Sequence, residues 1–204
     1  DTQVSMMGEH PCPQYVHFIY NVASGGGGLE HLNSQTSMMN RWNYNNPSAY
    51  KGFLGLIAHE YFHLWNVKRV RPIELGPFDY NHEVYTDMLW IAEGITSYYD
   101  DKTLQKMGLY EDEEYLKIIA SQISRYENTP GKEVMSLAHS STLAWVKSYL
   151  PNEESMNTSV SYYNKGMIAA VLLDLEIRSN SEHSLDDVMK ALYIDFYKKK
   201  GRGF

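Results

Sequence analysis

Residues His59, Glu60 and His63 form an H-E-x-x-H pattern in the run His59-Glu60-Tyr61-Phe62-His63. On an α-helix four residues make just over one turn, so both imidazoles leave the same face and can bind one ion. Glu60 lies about 100° round the helix from His59, where its carboxylate reaches a water on the metal without being a ligand. A catalytic zinc takes three protein ligands and keeps its fourth position open. Downstream candidates for the third are Glu74, His82, Glu83, Asp87 and Glu93. Most stand in polar sequence, where a solvated carboxylate needs no explanation. Glu93 is flanked by Met88-Leu89-Trp90-Ile91-Ala92 and by Ile95, and an unpaired charge in such a stretch costs several kcal/mol. A divalent cation removes that cost, and an ion pair with Arg69 or Arg71 is the alternative. For the two histidines, the alternative to a metal is hydrogen bonding within a helical core.

The pattern needs a helix under it. Pro47 suits a first helical turn, and Tyr50, Phe53, Leu54, Leu56, Ile57, Tyr61 and Leu64 form a broad apolar face, which predicts a helix over residues 47–66. A second helix over 84–107, ending at Gly108, would carry Glu93, with Gly94 letting it approach the first closely. Helices follow at 111–127, 165–178 and 184–196, the last opened by a capping box of Ser184 and Asp187. Ahead of them, 15–22 and 29–39 read as strands separated by the glycine run Gly25 to Gly28. Strands first and helices afterwards predict an α+β fold with segregated layers. The expected organisation is one domain over 1–204, strand-rich over 1–45 and helical over 46–204.

Composition narrows the function classes. With 204 residues, 43% of them hydrophobic, the chain can bury a core without disulfides, and its one cysteine, Cys12, could form none internally. The balance of 18 Lys+Arg against 25 Asp+Glu, net charge -7, lacks the basic stripe that nucleic acid requires. No apolar run approaches the roughly 18–20 residues of a membrane span. The sequence opens on Asp1 with no targeting segment, which leaves the compartment open between cytoplasm, periplasm and exterior.

Four ordered motifs carry a resemblance: GGLEH at 27–31, HEYFHLWNVKRVRP at 59–72, WIAEGITSYY at 90–99 and YYNKG at 162–166. Together they resemble the catalytic domain of the glycyl aminopeptidase family, gluzincin zinc metallopeptidases with a thermolysin-like catalytic domain. The resemblance implies that His59, His63 and Glu93 hold one zinc ion and that Glu60 is the general base. It implies that Tyr163, or the adjacent Tyr162, donates to the tetrahedral intermediate. Gly27 and Gly28 would offer a strand edge to an extended peptide, Glu30 would bind the free α-amine, and His31 would line the cleft. Flanking β-rich and PDZ domains are expected beyond this segment, which reads as an excised catalytic domain. One position departs from the thermolysin pattern. The carboxylate expected one turn after the third ligand, to orient a zinc histidine, is Ser97 here, leaving that histidine's partner open. The resulting expectation is a zinc aminopeptidase that prefers N-terminal Gly or Ala. Its rivals are a metalloendopeptidase and a peptide-binding relic without turnover.

Overall fold

The computed structural model describes residues 1–204. A short helix α1 (Thr2–Met7) precedes three strands, β1 (Val16–Val22), β2 (Gly27–Glu30) and β3 (Ser34–Asn40). The helices α2 (Pro47–Phe62), α3 (Ile95–Lys106), α4 (Asp112–Glu127), α5 (Leu137–Thr142), α6 (Ser155–Thr158), α7 (Tyr162–Asn180) and α8 (Leu185–Leu192) follow, so the fold is α+β as expected. The sheet order is β1-β3-β2, with β1 parallel and β2 antiparallel to β3. In β3 the residues Gln35, Ser37 and Met39 point inward and are buried, and the sheet lies against α2. β2 is an edge strand, so one side of its backbone is unpaired.

Local chemistry accounts for the helix starts. Asn46 Oδ1 accepts the Ala49 amide at 3.0 Å ahead of Pro47, and Ser161 caps α7 through the Asn164 amide. Ser184 and Asp187 close the capping box of α8. Phe62, Leu64, Trp65, Val70, Tyr99 and Ala170 are fully buried in one core that joins α2, α3 and α7. No helix is long and apolar enough to cross a membrane.

Several boundaries differ from the sequence expectation. The first helix stops at Phe62, not at residue 66, because Leu64 and Trp65 turn back to the carbonyls of Tyr61 and Phe62. Arg69 then donates to the freed Leu64 carbonyl at 2.7 Å, so the apolar Leu64 continues the core but not the helix. The expected helix over 84–107 starts only at Leu89. Before it, the Thr86 hydroxyl accepts the Met88 amide, and the Ser141 hydroxyl accepts the Trp90 amide at the new start. Residues 90–94 form a π-helical turn that runs directly into α3. The single strand expected at 29–39 is two strands, reversed at residues 31–33 where the His31 amide donates to the Ser34 carbonyl. α7 starts at Tyr162, three residues earlier than the apolar periodicity indicates, so Tyr162 and Tyr163 occupy its first turn. Helix α1 was not anticipated. It buries Met6 and Met7 and ends on Gly8 at φ 90, a conformation that favours glycine.

The expected role of Gly94 also changes. It brings the π-turn against α7, not against the first helix: a Cβ there would lie 2.5 Å from the Gly166 Cα. Gly166 is also tightly placed, 2.9 Å from the Gly94 Cα by the same measure. Gly94→Ala should therefore destabilise the chain by about 1–3 kcal/mol, as overpacking does. Gly52→Ala, within α2 and with nothing within 4 Å, should be neutral or stabilising by up to about 1 kcal/mol. Thermal unfolding of the two variants beside the parent checks the contrast, and equal melting curves would contradict it.

Candidate metal centre and active site

His59 and His63 occupy the last turn and the C-terminal cap of α2, and Glu93 lies in the π-turn before α3. The Nε2 atoms of both histidines stand 3.2 Å from the same Glu93 Oε2. The ligand atoms of these three side chains lie within 4.8 Å of one another. Two imidazoles and one carboxylate, converging from two elements in a largely buried site, are the donor set of an open zinc site. The residues present thus fit such an ion. Glu93 makes no ion pair with Arg69 or Arg71, whose guanidinium groups donate to backbone carbonyls.

Each imidazole is oriented through its other nitrogen. His59 Nδ1 lies 3.1 Å from Asp100 Oδ2, and His63 Nδ1 lies 2.6 Å from the Asn66 carbonyl. Asp100 therefore fills the role that Ser97 leaves open. It stands seven residues after Glu93, two turns along the same face, and that spacing is the sequence signal that identifies it. Asn66 is a second residue that the sequence reading missed. Its side-chain amide donates to the carbonyls of Ile91 and Ala92 at 2.9 and 3.1 Å, tying the end of α2 to the turn that presents Glu93.

Glu60 projects beside the cluster and is 5% exposed. Burial pushes its carboxyl up to about 7, the nearby imidazoles offsetting part of the effect. Gly28 of β2 lies directly over it, since a Cβ there would fall 2.5 Å from Glu60 Oε1. Glycine at that position keeps the strand edge and the carboxylate in contact. Gly27 has φ 102, a left-handed conformation reserved largely for glycine. Glu30, at the end of β2, groups with Glu60 and His63 within 4.8 Å and pairs with Lys68 Nζ at 3.1 Å. Lys68 was not anticipated. His31 is exposed, with its Nδ1 3.2 Å from the Leu29 carbonyl, and the structure does not bring it to the cluster.

Tyr163 stacks on His59 with ring centroids 6.2 Å apart, and Tyr162 stacks on Tyr163 at 4.7 Å. Tyr162 is the more buried and borders a cavity of about 540 Å³ that also reaches Glu93. Burial and the Glu93 charge push the Tyr163 hydroxyl well above its ordinary range, so it remains a proton donor at neutral pH.

Burial works against an imidazolium at His59, but Asp100 and Glu93 outweigh it and raise the group to about 10. At pH 7 the metal-free site therefore holds a proton that an entering cation must displace. Zinc binding at pH 7 should release at least one proton, and its apparent affinity should rise by up to about tenfold per pH unit toward pH 10. Calorimetry in buffers of different ionisation enthalpy measures the released proton, and a buffer-independent heat would contradict the assignment. Asp100→Asn should weaken zinc binding roughly 10–100-fold, the usual effect of removing a ligand's hydrogen-bond partner. Unchanged affinity would show that His59 needs no such partner.

The geometry has counterparts among known proteins. Residues 52–169 match the family model described as M61 glycyl aminopeptidase. A crystal structure of the aminopeptidase N family protein from Idiomarina loihiensis superimposes with a TM-score of 0.91 at 39% sequence identity. The alignment covers 98% of this chain and 35% of that one, so the present chain spans about a third of its relative's length. No curated protein matches the chain. The family match runs over more than half of the sequence, through the segment that contains His59, His63, Glu93 and Tyr163, and the chain belongs to the M61 glycyl aminopeptidase family.

Proposed function

We propose that the chain is the catalytic part of a zinc-dependent aminopeptidase that removes N-terminal residues, glycine and alanine before others. The observation that carries this reading is the approach of the His59 and His63 Nε2 atoms to a single Glu93 oxygen, 3.2 Å from each. These three residues would hold the zinc ion. When bound, it would supply Lewis acidity to a water molecule and to the scissile carbonyl.

The chain's own groups perform the remaining steps. Glu60 accepts the proton of the attacking water and passes it to the departing amine, and a carboxyl held near 7 by burial is matched to that exchange at neutral pH. The Tyr163 hydroxyl donates to the oxygen that gains charge as the carbonyl becomes tetrahedral. The backbone of Gly27 and Gly28, on the unpaired side of β2, aligns an extended peptide, and Gly28 leaves no side chain between that peptide and Glu60. Glu30 receives the free α-amine, sharing its carboxylate with Lys68. The flanking β-rich and PDZ domains implied by the motifs would belong to the remainder of the longer protein.

One observation favours a second reading. The Glu30 carboxylate is already paired with Lys68 at 3.1 Å, and a neutralised carboxylate needs no substrate amine, which suits an endopeptidase. Blocking the α-amine separates the two. Hydrolysis of a glycyl peptide should fall at least about 100-fold when its N-terminus is acetylated, the scale of losing a charge-assisted contact worth roughly 3 kcal/mol. Equal rates would establish an endopeptidase. Glu60→Gln should keep its zinc, measured by elemental analysis, yet lose at least about 10²-fold in kcat. Retained turnover in that variant would remove Glu60 from the mechanism.

A further inference from the structure

A cavity of about 730 Å³ opens beside Tyr162 and Tyr163. Both tyrosines form part of its wall, with Tyr149, Asn164 and a set of serines. It therefore adjoins the metal centre through the ring that stacks on His59. Its lining contains two cations, Arg125 and Lys147, and no carboxylate, in a chain where 25 acidic residues outnumber 18 basic ones. None of the ion pairs in the structure engages either cation. Arg125 also borders a smaller cavity of about 190 Å³ that reaches Asp100 and Asp101, yet it pairs with neither. Two unpaired cations at a cavity whose lining holds no carboxylate focus positive potential there, and a guanidinium presents the planar fork that fits a carboxylate.

We infer that this cavity receives a carboxylate of the peptide substrate, with Arg125 and Lys147 as its partners. The inference rests on the peptidase reading and deepens it. Glu30 groups with His63, whereas Arg125 and Lys147 share a cavity lining with Tyr163, the tyrosine that stacks on His59. A short peptide lying across the centre would then present its amine to Glu30 and its carboxylate to Arg125 and Lys147. The substrates so selected are short peptides with a free C-terminus, not long chains whose terminus lies far from the cleaved bond.

Binding and turnover test this separately. The zinc-loaded Glu60→Gln chain is titrated calorimetrically with Gly-Ala-Ala, with its C-terminal amide and with the amide of Gly-Ala-Glu. The free acid should bind at least about tenfold more tightly than the first amide, and kcat/KM of the parent chain should show the same ratio. In Arg125→Gln/Lys147→Gln the free acid should fall to the level of the amide, while in Lys117→Gln, a charge control on α4, the preference should persist. Tight binding of the Gly-Ala-Glu amide would keep the carboxylate site but assign it to a substrate side chain. Equal binding of acid and amide, or a preference that survives the double substitution, would overturn the inference and leave the peptidase reading standing. A preference in binding with no hydrolysis of any peptide by the zinc-loaded parent chain would sink the peptidase reading instead.

Discussion

Two imidazoles share one carboxylate oxygen in the interior of this chain, and the surrounding structure is arranged so that they can. Burial penalises each of the three groups in its charged form, by several kcal/mol for an isolated ion. The pairing reverses that penalty: Glu93 is held well below its ordinary range by the histidines, while His59 is raised by Asp100 and Glu93 and His63 by Glu93. A chain that lost one partner would keep the desolvation cost of the others. The same mutual dependence makes the cluster ready for a divalent cation, which would replace imidazole protons as the source of positive charge.

That convergence requires two elements far apart in sequence to be held in fixed register. Asn66 does part of this by donating to Ile91 and Ala92, so the end of α2 and the π-turn share hydrogen bonds as well as a buried ion cluster. The Gly94–Gly166 contact does the rest. It lets α7 come within backbone distance of the π-turn, and the first turn of α7 then carries Tyr163 onto the His59 ring. A π-turn is a weak way to make a helix, and such turns occur often at functional sites. Here it is supported from both sides, by Asn66 and by α7.

The histidine pair, Glu60 and Glu93 were legible because their signals are local. Helical spacing puts His59 and His63 on one face, and a carboxylate in an apolar stretch needs a partner wherever the chain goes. The residues that were missed answer to tertiary structure. Asp100 was hidden by looking one turn after Glu93, whereas the histidine it orients lies opposite the second turn. Lys68 stands in a run of basic residues with no local partner to single it out, and its approach to Glu30 depends on how the sheet lies on α2. The end of α2 was misread because Leu64 is apolar and in phase, and periodicity cannot distinguish a helix that continues from a turn whose side chain stays in the core. The late start of the helix before Glu93 has a similar cause, side-chain hydroxyls competing for backbone amides across a connection that composition alone does not resolve.

The glycine run shows most clearly how a sequence feature acquires meaning from its position. Four consecutive glycines read equally well as a flexible loop, and the structure distinguishes among them. Gly25 and Gly27 have positive φ and let the chain enter β2, while Gly28 has an ordinary backbone and is needed for space. Any side chain at Gly28 would displace Glu60, whose buried carboxyl depends on being enclosed by the strand and yet uncovered toward His63. Burial strong enough to raise that carboxyl to about 7, with the strand backbone in direct contact with it, is possible only if the covering strand has no side chain at the point of contact. The edge strand and the buried Glu60 carboxyl are thus one constraint, and it is met by the absence of a single methyl group.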